Sequence, residues 1–104
     1  MIYELRTYQL KVGAVQKYLQ QFEHKGLPII SKYGTLVGYW TVDTGVLHRV
    51  IHIWTYNDLE HRQRARWQCM QDKDWTEGYL PLAMPLIEAQ ESVIMSAANF
   101  SPIR

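Results

Sequence analysis

Apolar and polar positions change their period several times along the chain, and each change predicts an element. Ile2–Gln9 alternates, which suits a pleated strand with Ile2, Glu4, Arg6 and Tyr8 on one face and Tyr3, Leu5 and Thr7 on the other. After Gly13 the apolar positions Val15, Tyr18, Leu19, Phe22, Ile29, Ile30 and Tyr33 take up the i, i+3, i+4, i+7 rhythm of an amphipathic helix. Gly26 and Pro28 predict a kink or division in it, and Gly34 its end. Leu36–Val42 predicts a second strand, Asp43, Thr44 and Gly45 a reversal, and Arg49–Tyr56 a third strand at hairpin distance. Asn57 or Asp58 then caps a helix running to about Met70. Asp72–Leu80 reads as a shorter helix carrying Trp75 and Tyr79 and ended by Pro81; Leu86–Met95 reads as the last strand, with Ala98–Arg104 as a tail.

The order βαββαβ predicts an α+β fold of the ferredoxin-like kind, an antiparallel four-stranded sheet with both helices on one face. Its other face has no cover within the chain. By strict alternation Leu36, Gly38, Trp40 and Val42 share one face of the second strand, with Val37, Tyr39 and Thr41 opposite. The third strand sets Ile51 and Ile53 against Val50, His52 and Trp54. A sheet wet on one side shows clean alternation, whereas these strands are apolar or aromatic on both sides. A homodimer, in which a second copy covers the exposed face, is therefore expected.

Composition narrows the function classes. A chain of 104 residues predicts one domain spanning 1–104, and 47% hydrophobic with 20% charged residues is a folding composition. The formal net charge of +1 offers no field for nucleic acid or an anionic membrane, and no stretch reaches the roughly 18 apolar residues of a membrane span. The lone Cys69 and the absence of a leader-like start predict a reducing, cytoplasmic location.

Three groups of residues could carry chemistry. Glu4, Arg6 and Tyr8 share a face with His52, Trp54 and Tyr56 on neighbouring strands. That face reads either as a pocket, with Trp54 a flat wall and His52 a proton donor or acceptor, or as a dimer core whose buried polar groups pair, Glu4 with Arg6 across the interface among them. On the second helix, Leu59, Arg62, Arg66 and Met70 form a stripe; its arginines either fork onto an acidic ligand in the cavity between helix and sheet or lay their stems on the core and reach water. Trp40, Trp54, Trp67 and Trp75 either stack on a planar ligand or fill core and interface. No metal or cofactor is expected. His48 and His52 lie ~13 Å apart along a strand, His24 and His61 are isolated, and Cys69 has no cationic neighbours to activate it. Haem has only a lone His52 or His61 to bind it.

Several stretches also form a familiar set in order: YELRTY at 3–8, GLPI at 26–29, LVGYW at 36–40, VIHIWTYNDLEHR at 50–62, DKDW at 72–75 and QESVIM at 90–95. Together they resemble the NIPSNAP family, with HIWTYNDLEHR the most specific segment. The resemblance implies the dimeric α+β barrel superfamily, in which two ferredoxin-like sheets pack face to face. Larger eukaryotic members are associated with mitochondria and with vesicle or damage signalling, while small single-domain relatives mostly lack an assigned activity. Wider relatives include cofactor-independent monooxygenases, haem-degrading enzymes, isomerases and decarboxylases, among which fold alone does not choose. The resulting expectation is a small soluble homodimer that binds a small acidic or aromatic ligand or acts as an accessory protein. The alternative is a cofactor-independent monooxygenase or isomerase. The residues expected to meet a ligand are Glu4, Arg6, Trp40, His52, Trp54, Arg62 and Arg66.

Overall fold

A computed structural model describes all residues, 1–104. Strand β1 (Ile2–Leu10) leads through helix α1 (Val15–Gln21), a π-helical segment (Phe22–Gly26) and helix α2 (Leu27–Ile30) into β2 (Thr35–Thr41). Strand β3 (Arg49–Tyr56) follows, then α3 (Leu59–Gln71), a second π-helical segment (Asp74–Tyr79), α4 (Leu80–Ala83), a 3₁₀ turn (Met84–Leu86) and β4 (Ile87–Met95). The sheet is antiparallel in the order β2-β3-β1-β4, the ferredoxin-like arrangement expected from the element order.

The long first helix is divided, as Gly26 and Pro28 predicted, with no break in helical winding between its α- and π-helical segments. Pro28 sits in the first turn of α2, and the strain at Gly26 is absorbed by π-helical winding over Phe22–Gly26. Pro81 likewise does not end the second short helix: it occupies the first turn of α4, where a missing N–H is least costly. Asp58, not Asn57, caps α3 by accepting from the His61 amide at 2.7 Å.

Alternation in β3 is strict, with Val50, His52, Trp54 and Tyr56 buried under the helices and Arg49, Ile51, Ile53 and Thr55 facing away. The register puts Glu4 beside Trp54, Arg6 beside His52 and Tyr8 beside Val50. Strand β2 departs from alternation. A bulge between Leu36 and Gly38 places Leu36 and Tyr39 against the core and turns Gly38 and Trp40 to the other face. There the Trp40 indole lies over Gly38, where an added Cβ would come within 2.4 Å of the ring. Only 14 of 104 residues are buried within one chain, and the face bearing Leu5, Ile51, Ile53 and Val93 contributes none of them. The core therefore lies wholly between the sheet and its helices.

Candidate functional site

Three chains of cause bring the site's residues together beneath the helices. Period-two geometry points Glu4, Arg6 and Tyr8 of β1 and His52, Trp54 and Tyr56 of β3 to the same side. On α3, Arg62, Ala65, Arg66 and Cys69 fall on the side toward the sheet; Ala65 and Cys69 are the buried members, while Leu59 and Met70 are exposed. The two π-helical segments deliver Phe22 and Tyr79, whose rings meet at 6.1 Å above Gly26. Gly26 is required there: a Cβ on it would lie 2.7 Å from Tyr79 Cζ.

Glu4 is the electrostatic centre. Its carboxylate has no solvent exposure and accepts from Arg62 Nε at 2.9 Å and Nη2 at 2.8 Å, from Arg6 Nη1 at 2.9 Å and from the Ser92 hydroxyl. Burial pushes this carboxyl up, but the hydrogen bonds from Arg62 and Ser92 and the charge of Arg6 outweigh it and hold it at about 2. Arg6 also donates from Nε to the Tyr8 hydroxyl at 2.9 Å. Glu4 and Arg6 thus pair along one strand of one chain rather than across an interface.

His52 is nearly buried, its ring stacked on Tyr39 at 4.4 Å and 6° and met edge-on by Tyr8 at 4.7 Å. Burial, reinforced by the Arg6 charge, brings the imidazole down to about 3, so it is neutral at physiological pH. Trp54 Nε1–H donates to His52 Nδ1 at 2.7 Å, which leaves the single ring proton on Nε2. That Nε2 is buried and has no partner within the protein. The Tyr79 hydroxyl, on a residue only 2% exposed, makes no hydrogen bond within 3.5 Å and has the Tyr18 hydroxyl as its polar neighbour. Both residues line a cavity of ≈ 200 Å³ between sheet and helices, walled by Tyr18, Phe22, Trp54 and Trp75.

Of the residues expected from sequence to meet a ligand, Glu4, Arg6, His52, Trp54 and Arg66 line this cavity. Arg62 sits on Glu4 at its edge, and its guanidinium is committed to that carboxylate. Trp40 is not there: the bulge puts it, 51% exposed, on the opposite face of the sheet. Trp67, 65% exposed, is remote as well, while Trp75 packs on Tyr79 at 4.8 Å. Arg66 lines the cavity from an exposed position, at its mouth, and forms no ion pair. Tyr79, Tyr18, Tyr39 and Ser92 were not singled out from the sequence. Tyr18 lay on the apolar helical stripe and Tyr79 one turn from Trp75, but nothing in either pattern says that a hydroxyl ends up buried. Cys69 lines the same cavity, its thiol pushed by burial up to about 11.

The NIPSNAP family model matches residues 3–102. The chain is 38% identical over 95 residues to protein NipSnap homolog 3A of Homo sapiens, covering 90% of this chain but only 38% of that protein. A NIPSNAP family protein of unknown function from Agrobacterium tumefaciens superposes with a TM-score of 0.97 at 40% identity, covering 100% of this chain and 94% of the other. SnoaB, a cofactor-independent oxygenase from Streptomyces nogalater, superposes with a TM-score of 0.65 over 97% of this chain and 96% of its own at 12% identity, which is a likeness of fold alone.

Proposed function

This chain belongs to the NIPSNAP family, and from that premise we propose that it is a homodimeric binding protein that takes a small aromatic ligand into the cavity beneath its helices. The observation that carries the reading is the unpartnered buried His52 Nε2–H, with the Tyr79 hydroxyl on the same cavity, in a lining that is mostly aromatic and aliphatic. Each buried group left without a hydrogen bond costs about 1–3 kcal/mol, a cost that a ligand oxygen seated between aromatic walls relieves. Glu4 and Arg6 form the charged floor, Trp54 holds His52 in its donor tautomer, and Arg66 stands at the entrance.

The titration of the lining favours binding over acid–base catalysis. A general acid or base works best when it titrates near the working pH. Glu4 is held at about 2, His52 at about 3, and burial lifts Tyr18 to about 12. None of these is poised to exchange a proton at pH 7, whereas a neutral His52 is a persistent hydrogen-bond donor.

The homodimer rests on the uncovered face. Trp40 and Val93, each about half exposed, with Leu5, Ile51 and Ile53 beside them, make an apolar surface that a second copy covers about a two-fold axis. A cytoplasmic location belongs to the same proposal and is supported by the single unpaired Cys69.

Calorimetric titration with p-cresol and 4-hydroxybenzoate, each one ring with a hydroxyl, tests the site. At least one binds at millimolar concentration or tighter, and His52→Phe abolishes it; no binding of either overturns the reading. Light scattering tests the assembly, with a mass near twice 12.3 kDa expected for the wild type and near 12.3 kDa for Ile51→Glu.

A further inference from the structure

Building on the binding role proposed above, we propose that the ligand class is a single-ring aromatic acid, its carboxylate held by Arg66 at the mouth and an oxygen at its other end by His52 and Tyr79. Three independent observations converge on this class: size, charge and depth.

Size comes from the cavity. Its ≈ 200 Å³ is close to the ~150 Å³ that suffices for benzene in an apolar protein cavity, so one ring with small substituents fills it and a second fused ring has to project past the mouth. Tyr18, Phe22, Trp54 and Trp75 are among the walls, and aromatic side chains suit a planar body.

Charge comes from the lining. Glu4 is the only carboxylate in it, and it is outnumbered by Arg6 and Arg66 on the lining and by Arg62, which lies on Glu4 itself. Glu4 can neutralise one of the three guanidinium charges. Asp72, close enough to raise the Cys69 thiol, is already held by Lys32 Nζ at 3.2 Å and by the Tyr33 hydroxyl at 2.7 Å. Positive charge is therefore left over at the site, and Arg66 carries the part of it that is unpaired and accessible. A guanidinium's paired N–H donors match a carboxylate bidentately.

Depth separates the two ends. His52 and Tyr79 are 3% and 2% exposed, while Arg66 is exposed, so the neutral donors lie at the bottom and the cation at the top. His52 offers only a donor there, because its other nitrogen is taken by Trp54, and so it selects an acceptor oxygen such as a phenol or carbonyl. An aromatic acid with an oxygen substituent away from its carboxylate presents one group to each end.

The probes are 4-hydroxybenzoate, its uncharged counterpart p-cresol, and the two-ring 6-hydroxy-2-naphthoate, titrated at pH 7 into the wild type and into Arg66→Gln. Arg66 is exposed, and thermal unfolding checks that the variant retains the wild-type fold. The wild type is expected to bind 4-hydroxybenzoate about two- to fivefold more tightly than p-cresol, as one solvent-exposed ion pair gives. Arg66→Gln is expected to erase that preference. The naphthoate is expected to bind more weakly than 4-hydroxybenzoate. Equal binding of acid and cresol by the wild type, or a preference that survives Arg66→Gln, overturns the acid assignment while leaving the cavity's binding role intact. Naphthoate binding as tight as that of 4-hydroxybenzoate overturns the single-ring limit. Failure of both single-ring probes to bind overturns the binding role itself, and this inference with it.

Discussion

Replacing Glu4 by glutamine removes the one carboxylate beneath the helices with little change of shape, and its consequence can be worked from the structure. The carboxylate has no solvent exposure; burial opposes its ionisation, yet Arg62, Ser92 and Arg6 hold it at about 2 against 4.5 for the free group. A depression of that size corresponds to about 3 kcal/mol of stability. Because the folded value lies below the unfolded one, this contribution is complete above about pH 5 and is lost as pH falls from 4.5 toward 2. Urea unfolding of wild type and Glu4→Gln at one protein concentration, across acid and neutral pH, measures it directly. The wild type is expected to be more stable by about 3 kcal/mol at neutral pH, or ~10–20 °C in melting temperature for a domain of this size. The gap should close as the carboxyl protonates. Two stability curves that stay parallel through that range would refute the claim that the arginines hold Glu4 ionised in the fold.

Two further consequences concern the helical layer. Gly26→Ala sets a Cβ 2.7 Å from Tyr79 Cζ and 2.9 Å from Phe22 Cδ2, so overpacking of about 1–3 kcal/mol outweighs the roughly 1 kcal/mol that alanine gains in a helix. The melting temperature should fall, and a rise would mean that the two π-helical segments do not meet as described. Cys69, with its thiol raised to about 11, should react slowly with iodoacetamide at pH 7.5 and rapidly only once urea unfolds the chain; fast alkylation of the native protein would contradict its burial.

The strands, and which residues of β1 and β3 share a face, were legible because side chains alternate along a strand. Which face the helices cover was not, because β2 and β3 are apolar or aromatic on both sides. Strand β2 was misread at Trp40 because one extra residue at Val37 inverts the faces after it. Gly38 in mid-strand was the available signal, since an isolated glycine in a strand often marks a bulge. The π-helical segments were hidden because their glycine and proline residues also suit a kink or a stop. Where the arginines go could not be read from helical period alone. Arg62 and Arg66 lie one turn apart on one stripe, yet one closes on a buried carboxylate 58 residues away in sequence and the other stays free at the mouth. That difference is set by tertiary packing of α3 over β1. The exposure of Leu59 and Met70 likewise shows a stripe anchored by Ala65 and Cys69 rather than by its largest apolar residues.

Nitrogen-15 NMR of the His52 ring tests the central claim most directly, since the whole site depends on a neutral imidazole with its proton on Nε2 and no protein group bonded to it. The account predicts the Nε2–H tautomer unchanged from about pH 5 to pH 8, and a shift of that resonance when 4-hydroxybenzoate is added. A ring that carries its proton on Nδ1, that titrates near 6.5, or that ignores every aromatic probe would contradict it.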